Sequence, residues 1–175
     1  GPELVGPLFP VPRPMFRNAL QRAARGLLAD AAPSTDPAFA NKLKFNFSIP
    51  STSLYSDAPV RMVIIPGASG VMGVLKDHVP LVSALKPGVL AVQEEETDAQ
   101  LKRFFVSGGF AYVKGDGLDV SAVEAVPVDD LDPEEVKKGL ASYTSLAASA
   151  TDDVEKAKAE IGLEVYQAMS AALGQ

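Results

Sequence analysis

Proline divides this chain before any other feature does. Seven of its fourteen prolines fall within residues 1–40, six lie between residues 50 and 127, and beyond that stands only Pro133. A proline inside a helix costs about 3 kcal/mol, through its missing N–H and its clash with the preceding turn. The stretch from Pro133 onward is therefore the one long region free to be helical. Charge follows the same division. Residues 1–40 hold four arginines against three acids, residues 41–131 eight bases against eleven acids, and residues 132–175 four bases against eight acids. No internal repeat is visible at a solenoid period.

Composition removes whole classes of function. The 175 residues contain no cysteine and one histidine, His78, which excludes disulfide scaffolds, thiol nucleophiles, thiolate metal sites and His-based metal clusters. A net charge of −6 argues against nucleic acid as a partner, because phosphate neutralisation needs clustered Lys and Arg. The uncharged run from Met62 to Leu75 is broken by Pro66, Gly67, Gly70 and Gly73 and falls short of the ~20 apolar residues of a membrane span.

The middle region, residues 42–131, reads as β. Leu43, Phe45, Phe47 and Ile49 alternate with Lys42, Lys44, Asn46 and Ser48, the period-two pattern of a half-buried strand. Short runs follow at Val60–Ile65, Val71–Leu75, Val79–Leu85, Val89–Gln93, Leu101–Val106, Phe110–Val113 and Leu118–Val123. Turn residues separate them: Pro66-Gly67, Pro87-Gly88, Gly108-Gly109 and Gly115-Asp116-Gly117. About eight or nine short strands at intervals of roughly ten residues predict an antiparallel sandwich or barrel. No gap between them is long enough for a crossover helix.

The tail, residues 132–175, reads as a helical hairpin over 132–149 and 151–173. Asp132 is a good N-cap, with Pro133 at the first helical position and Glu134-Glu135 in the first turn. Val136, Leu140, Tyr143 and Ala147 mark one face. Thr151 with Asp152-Asp153 is a second start signal, and Val154, Ile161, Val165, Ala168, Met169 and Ala172 continue the helical period. The stripe is narrow and rich in alanine, so the hairpin is expected to lean on a neighbour. Residues 1–41 form an extension of another kind. Gly1–Pro14 is proline-rich and predicted to be extended. A short helix is expected over residues 15–29, with Phe16, Leu20, Ala23 and Leu27 on one face and Arg17, Gln21, Arg22 and Arg25 on the other. Its freedom from acids is the composition of a mitochondrial presequence; a retained, ordered extension and a leftover targeting element both remain open.

Individual motifs point away from catalysis. GASGVMG, residues 67–73, lacks the Lys-Ser/Thr pair of a phosphate loop and leads back into β-like sequence. Glu94-Glu95-Glu96-Thr97-Asp98 does not alternate its ligands as a calcium loop does and reads as a solvated hairpin tip. His78 follows Asp77 without a nucleophile motif nearby. No catalytic, metal-binding or cofactor-binding residues are assigned.

The words Gly70-Val71-Met72-Gly73-Val74-Leu75, His78-Val79-Pro80, Leu85-Lys86-Pro87-Gly88-Val89 and Phe105-Val106-Ser107-Gly108-Gly109 occur in that order, before an acidic Asp129-Asp130-Leu131-Asp132 and the helical tail. Over about residues 42–173 the chain thereby resembles the small rotor subunit of F-type ATP synthases, called delta in mitochondria and epsilon in bacteria and chloroplasts. The resemblance implies an α+β fold, a β-sandwich of about ten strands followed by an antiparallel helical hairpin. It implies no active site and no cofactor. It implies a rotor subunit at the foot of the central stalk, one copy per complex, with three partners: the gamma subunit, the membrane c-ring and the small mitochondrial epsilon subunit. The location implied is the matrix side of the mitochondrial inner membrane, peripheral through the c-ring rather than inserted. By position it places Ser69, Gly70, Val71, Met72 and Gly73 on the c-ring side and His78, Val79 and Pro80 on the gamma side. Val71 stands where bacterial relatives usually carry an acid, so an apolar ring contact through Val71 and Met72 is expected. The alternative is a bacterial or chloroplast-type epsilon whose hairpin regulates ATP hydrolysis. Against it, the chain has no arginine after Arg103, and Ile161-Gly162-Leu163-Glu164 does not match the nucleotide-sensing motif.

Overall fold

In the computed structural model, residues 39–95, 97 and 101–174 are described. The helix expected over residues 15–29 and the extended lead before it lie outside these residues. Ten strands run in order: β1 Leu43–Ile49, β2 Thr52–Val60, β3 Met62–Gly67, β4 Gly70–Leu75, β5 Leu81–Leu85, β6 Gly88–Gln93, β7 Lys102–Val106, β8 Gly109–Val113, β9 Gly117–Ala122 and β10 Ala125–Pro127. β1 forms as its alternation requires, with Leu43, Phe45 and Phe47 buried. β2 and β10 had no sequence signal. β2 is a long edge strand whose Thr, Ser, Asp and Pro residues mostly face solvent, and β10 is three residues ending in a proline. The run expected from Val60 begins at Met62, and the run expected from Val79 begins at Leu81.

The strands hydrogen-bond in the order β10-β7-β6-β3-β5-β8-β9-β1-β2, with β4 on the other edge of β3. β3 is the corner. Met62–Ile64 pair with Gln93–Ala91 of β6, whereas its last residue, Gly67, lies opposite Leu85 of β5. The ladder thus folds into two facing layers. One pairing departs from the antiparallel expectation: β1 runs parallel to β9, from Lys44 opposite Gly117 to Ser48 opposite Ser121. Between the layers lie Leu43, Phe45, Phe47, Val63, Ile65, Val74, Leu90, Val92, Val106, Leu118 and Val120, all buried. Aromatic rings join the layers. Phe47 meets Phe104 of β7 edge-on at 5.6 Å between centroids, and Tyr55 of β2 meets the same ring edge-on at 6.1 Å. The Tyr55 hydroxyl donates to Glu94 at 3.1 Å. Burial, the hydrogen bond to Glu94 and the Glu94 charge hold its phenol well above the usual tyrosine range.

After a 3-10 turn at Val128–Asp130 come two helices, α1 Pro133–Ser149 and α2 Asp153–Ala172. Asp132 caps α1 by accepting from the backbone N–H groups of Glu134 and Glu135 at 2.8 and 3.4 Å. Asp152 caps α2 in the same way from Val154 and Glu155, at 3.2 and 3.3 Å. Each cap satisfies amides that the first turn leaves unpaired. Tyr143 of α1 stacks on Tyr166 of α2 at 5.2 Å between centroids. The stripe expected on α2 holds in its second half, where Val165, Ala168, Met169 and Ala172 face inward, and fails in its first. Val154 and Ile161 are 60% and 64% exposed, while Ala159 is buried and Gly162 sits against the Tyr143 ring. Close approach of the two helices favours the face with the smallest side chains. The end of α2 lies on the sheet: Ala172, Val165, Ala168 and Met169 pack with Val128, Leu131, Val89 of β6 and Phe105 of β7. The hairpin is folded down on the outer face of the β6–β7 layer. No described helix is long and apolar enough to cross a membrane.

Candidate interaction surfaces

The strand register sorts the turns onto two ends of the sandwich. Pro50-Ser51, Ala68-Ser69, Lys86-Pro87, Ser107-Gly108 and Val123-Glu124 gather at one end, since the pairs Ile49–Thr52, Gly67–Leu85, Gly88–Val106 and Gly109–Ala122 flank them. Their only charges are Lys86 and Glu124. At the opposite end lie the β4–β5 connection with Lys76 and Asp77, the start of the β6–β7 connection with Glu94 and Glu95, and the β8–β9 turn with Lys114 and Asp116. One end is small and apolar, the other charged.

The residues expected on the c-ring side occupy the apolar end. Ser69 closes the β3–β4 turn and is exposed. Gly70 holds φ +136°, a region that side chains rarely adopt. Val71 projects outward at 73% exposure, whereas Met72 is half-buried against the core. Alternation along β4 therefore splits the pair expected to act together: Val71 faces solvent and Met72 supports the sandwich. Gly73 is exposed at the middle of the strand.

The residues expected on the gamma side begin at the charged end. Asp77 at φ +60° turns the chain. The backbone N–H of His78 donates to the Leu75 carbonyl at 3.3 Å, and the His78 Nδ1 lies 2.9 Å from the Val79 carbonyl oxygen. Val79 and Pro80 are exposed. They lead into β5, whose far end meets the β3–β4 turn. The two groups of residues thus sit at opposite ends of one strand.

Between them the structure adds a surface that the sequence had not marked. On the outer face of β5 and β8, Val82 lies opposite Tyr112 and Ala84 opposite Phe110. Val82 is 67% and Phe110 52% exposed, and Tyr112 is exposed beside them. Contiguous apolar faces are where interaction sites are sought on a folded chain. Its signal was the order Phe110-Ala111-Tyr112-Val113, which sets the large aromatics on one side of the strand and the small or aliphatic residues on the other. Both kinds count as apolar, so periodicity alone did not say which side faces the core.

The same outer face turns polar across β9, β1 and β2. Asn46 donates to Asp119 at 2.8 Å and accepts from the Asp57 backbone N–H at 2.6 Å. Lys44 pairs with Asp57 at 3.0 Å, and Lys114 with Asp119. Partial burial alone would raise the Asp119 pKa, but hydrogen bonds from Lys114 and Asn46 and the charges of Lys114 and Lys44 hold it below the usual carboxylate range. A depressed folded-state pKa contributes stability above the unfolded value that is lost as pH falls through the folded one. The melting temperature is therefore expected to fall below about pH 4, and Asp119→Asn to make that acid limb shallower. An equal slope in the two proteins, followed by circular dichroism, would show that this pairing carries no pH dependence.

Ten strands in two layers carry a helical hairpin on one outer face, and apolar surface runs from one end along β5 and β8. Residues 42–128 match the family model of the ATP synthase delta/epsilon chain β-sandwich domain. The chain is 47% identical over 133 residues to ATP synthase F(1) complex subunit delta, mitochondrial, of Dictyostelium discoideum, covering 75% of this chain and 77% of that one. It is 45% identical to ATP synthase subunit delta', mitochondrial, of Ipomoea batatas, covering 81% and 70%. A chain in the cryo-EM structure of the Euglena gracilis mitochondrial ATP synthase superposes with a TM-score of 0.72 at 27% identity, covering 97% of this chain and 99% of that one. The chain belongs to the mitochondrial ATP synthase delta subunit family.

Proposed function

We propose that this chain is a non-catalytic central-stalk subunit of the mitochondrial proton-translocating ATP synthase, held between the gamma subunit and the c-ring and passing rotation between them. The carrying observation is the arrangement along β5. The apolar turn bearing Val71 meets one end of the strand, Val79 and Pro80 precede the other, and the Val82–Phe110–Tyr112 face joins them. A hydrogen-bonded sheet resists shear, as a coupling part must. Each proton crossing releases about 2.3 kcal/mol per 100 mV, and that energy reaches a catalytic head only through interfaces that do not slip. The apolar end faces the c-ring, so the subunit is peripheral to the inner membrane on its matrix side. The Val79 end and the β5–β8 face meet gamma, and the small mitochondrial epsilon subunit is a third neighbour. The mitochondrial relatives and the lack of any arginine after Arg103 favour this over a hairpin that senses nucleotide.

Val71→Asp tests the reading without disturbing the core, which Met72→Asp would. A carboxylate placed at a dry contact loses its hydration, and every 1.4 kcal/mol of lost contact is about tenfold in occupancy. In membrane vesicles, synthesis driven by a proton gradient should fall about tenfold or more while hydrolysis by the detached soluble head is unchanged. Full coupling in the variant would remove Val71 from the ring contact.

A further inference from the structure

Among the described residues, β2, β4 and β10 each pair along one edge only. An open edge is a row of free backbone donors and acceptors that folded proteins blunt with charge, proline, bulges or shortness. β2 carries Asp57 at φ +48°, Pro59, and two register shifts in its pairing with β1. β10 is three residues long and ends in Pro127. β4, Gly-Val-Met-Gly-Val-Leu, has none of these devices, and it pairs with β3 at six consecutive positions without a shift.

The register shows which groups β4 offers. Lys86 N–H donates to the Pro66 carbonyl at 2.9 Å and Ala68 N–H to the Ala84 carbonyl at 2.8 Å, so the Gly67 amide and carbonyl face β4 and pair with Gly70. Counting in twos along an antiparallel ladder, Met72 and Val74 exchange hydrogen bonds with β3. Val71 and Gly73 turn N–H and C=O outward, as does the Leu75 N–H; the Leu75 carbonyl accepts from His78. No described residue pairs with that edge.

Gly73 supplies an independent sign. Its backbone is extended, and a Cβ there would rest 3.6 Å from the Met62 sulfur, an ordinary contact. The fold does not require a glycine at this position, and glycine weakens a strand by roughly 0.5–1 kcal/mol relative to alanine. In a strand without a bulge, glycine is one mark of the close approach of another backbone or a ligand. The two-fold register of two β4 copies that engages all three outward amides centres Gly73 on Gly73 and leaves the middle of the seam unfilled. A different chain with a bulky side chain at that point would fill it.

We propose that the free edge of β4 is completed, in the assembled complex, by an extended segment of a neighbouring subunit that adds as a further strand and sets a large apolar side chain over Gly73. This rests on the reading of the chain as a built-in subunit. Residue-resolved amide exchange on the free full-length chain and on the purified complex tests it. Val71, Gly73 and Leu75 amides should exchange about 100-fold more slowly in the complex, while Met72 and Val74 are already protected in the free chain. Gly73→Pro, which deletes one outward N–H, should speed loss of the chain from the complex about tenfold. Unchanged exchange at the three amides in a complex that retains the chain overturns the proposal, whatever the proline variant does. Protection in the free chain accompanied by a dimer mass in light scattering overturns it in favour of a second copy. Absence of the chain from the complex overturns the parent reading and this one with it.

Discussion

Gly109→Ala lowers the melting temperature by about 10 °C or more, the expected result of a change that nothing around it can absorb. Gly109 begins β8 at φ +139°, where an alanine is strained. A Cβ there would stand 2.2 Å from the Ser121 carbonyl oxygen and 2.8 Å from the Ala122 Cα. Both are backbone atoms of β9, held in a ladder of five consecutive pairs with β8, so no side chain can swing aside. The clash and the strained φ together cost about 4 kcal/mol, at the upper limit of single substitutions. Gly115→Ala is the control. It sits in the next turn with nothing within 4 Å of the added carbon and should lie within about 0.5 kcal/mol of the parent. Equal melting of the two variants would show that β8 and β9 can part at Gly109 without consequence.

The double change Gly139→Ala/Gly162→Ala should loosen the hairpin while leaving the sandwich intact. On helix propensity alone each substitution stabilises by about 1 kcal/mol. Against that, a Cβ on Gly139 would lie 2.1 Å from the Tyr166 ring, and one on Gly162 would lie 2.2 Å from the Tyr143 ring. The arrangement is reciprocal: each helix provides one glycine as the seat for the other's tyrosine, and the two rings stack on each other. Neither ring can retreat without leaving the stack, so overpacking of about 1–3 kcal/mol per site exceeds the propensity gain. Amide exchange in α1 and α2 should accelerate while β1, β8 and β9 stay protected. Adding Tyr166→Ala to Gly139→Ala should recover part of the loss; a hairpin made more stable by the two alanines would refute the account.

Much of the fold was legible because local chemistry and burial agree there. Leu43 to Ile49 alternate and are buried accordingly, and Asp132-Pro133 caps a helix in one step. The unread parts are those where a third element decided the outcome. β2 is a strand because β1 offers it an edge, despite side chains that favour solvent. Val154 and Ile161 have helical spacing, but the Tyr–Gly crossing selected another face of α2. At the surfaces, strand pairing decides which side chains face out: the Ser69–Gly73 segment lies at the apolar end of the sandwich, and one-residue alternation separates Val71 from Met72. Phe110 and Tyr112 read only as part of an apolar run, because their outward orientation follows from the pairing of β5, β8 and β9, and no window along the chain records that pairing.

The parallel seam between β1 and β9 bears on how such a chain is delivered. Asn46 and Asp119, joined across it, are 73 residues apart, with the intervening strands of both layers between them. Contacts of that separation form late, since the closure entropy must be met before the contact repays it. A polypeptide threaded amino end first through a narrow pore therefore presents β1 with only one of its two neighbours until nearly the whole sandwich has emerged. Until then Phe45 and Phe47 sit on a strand paired along one edge only, although β3, β4, β6 and β7 of the facing layer have already emerged. The strand that leads the domain through is among the last to be locked in place.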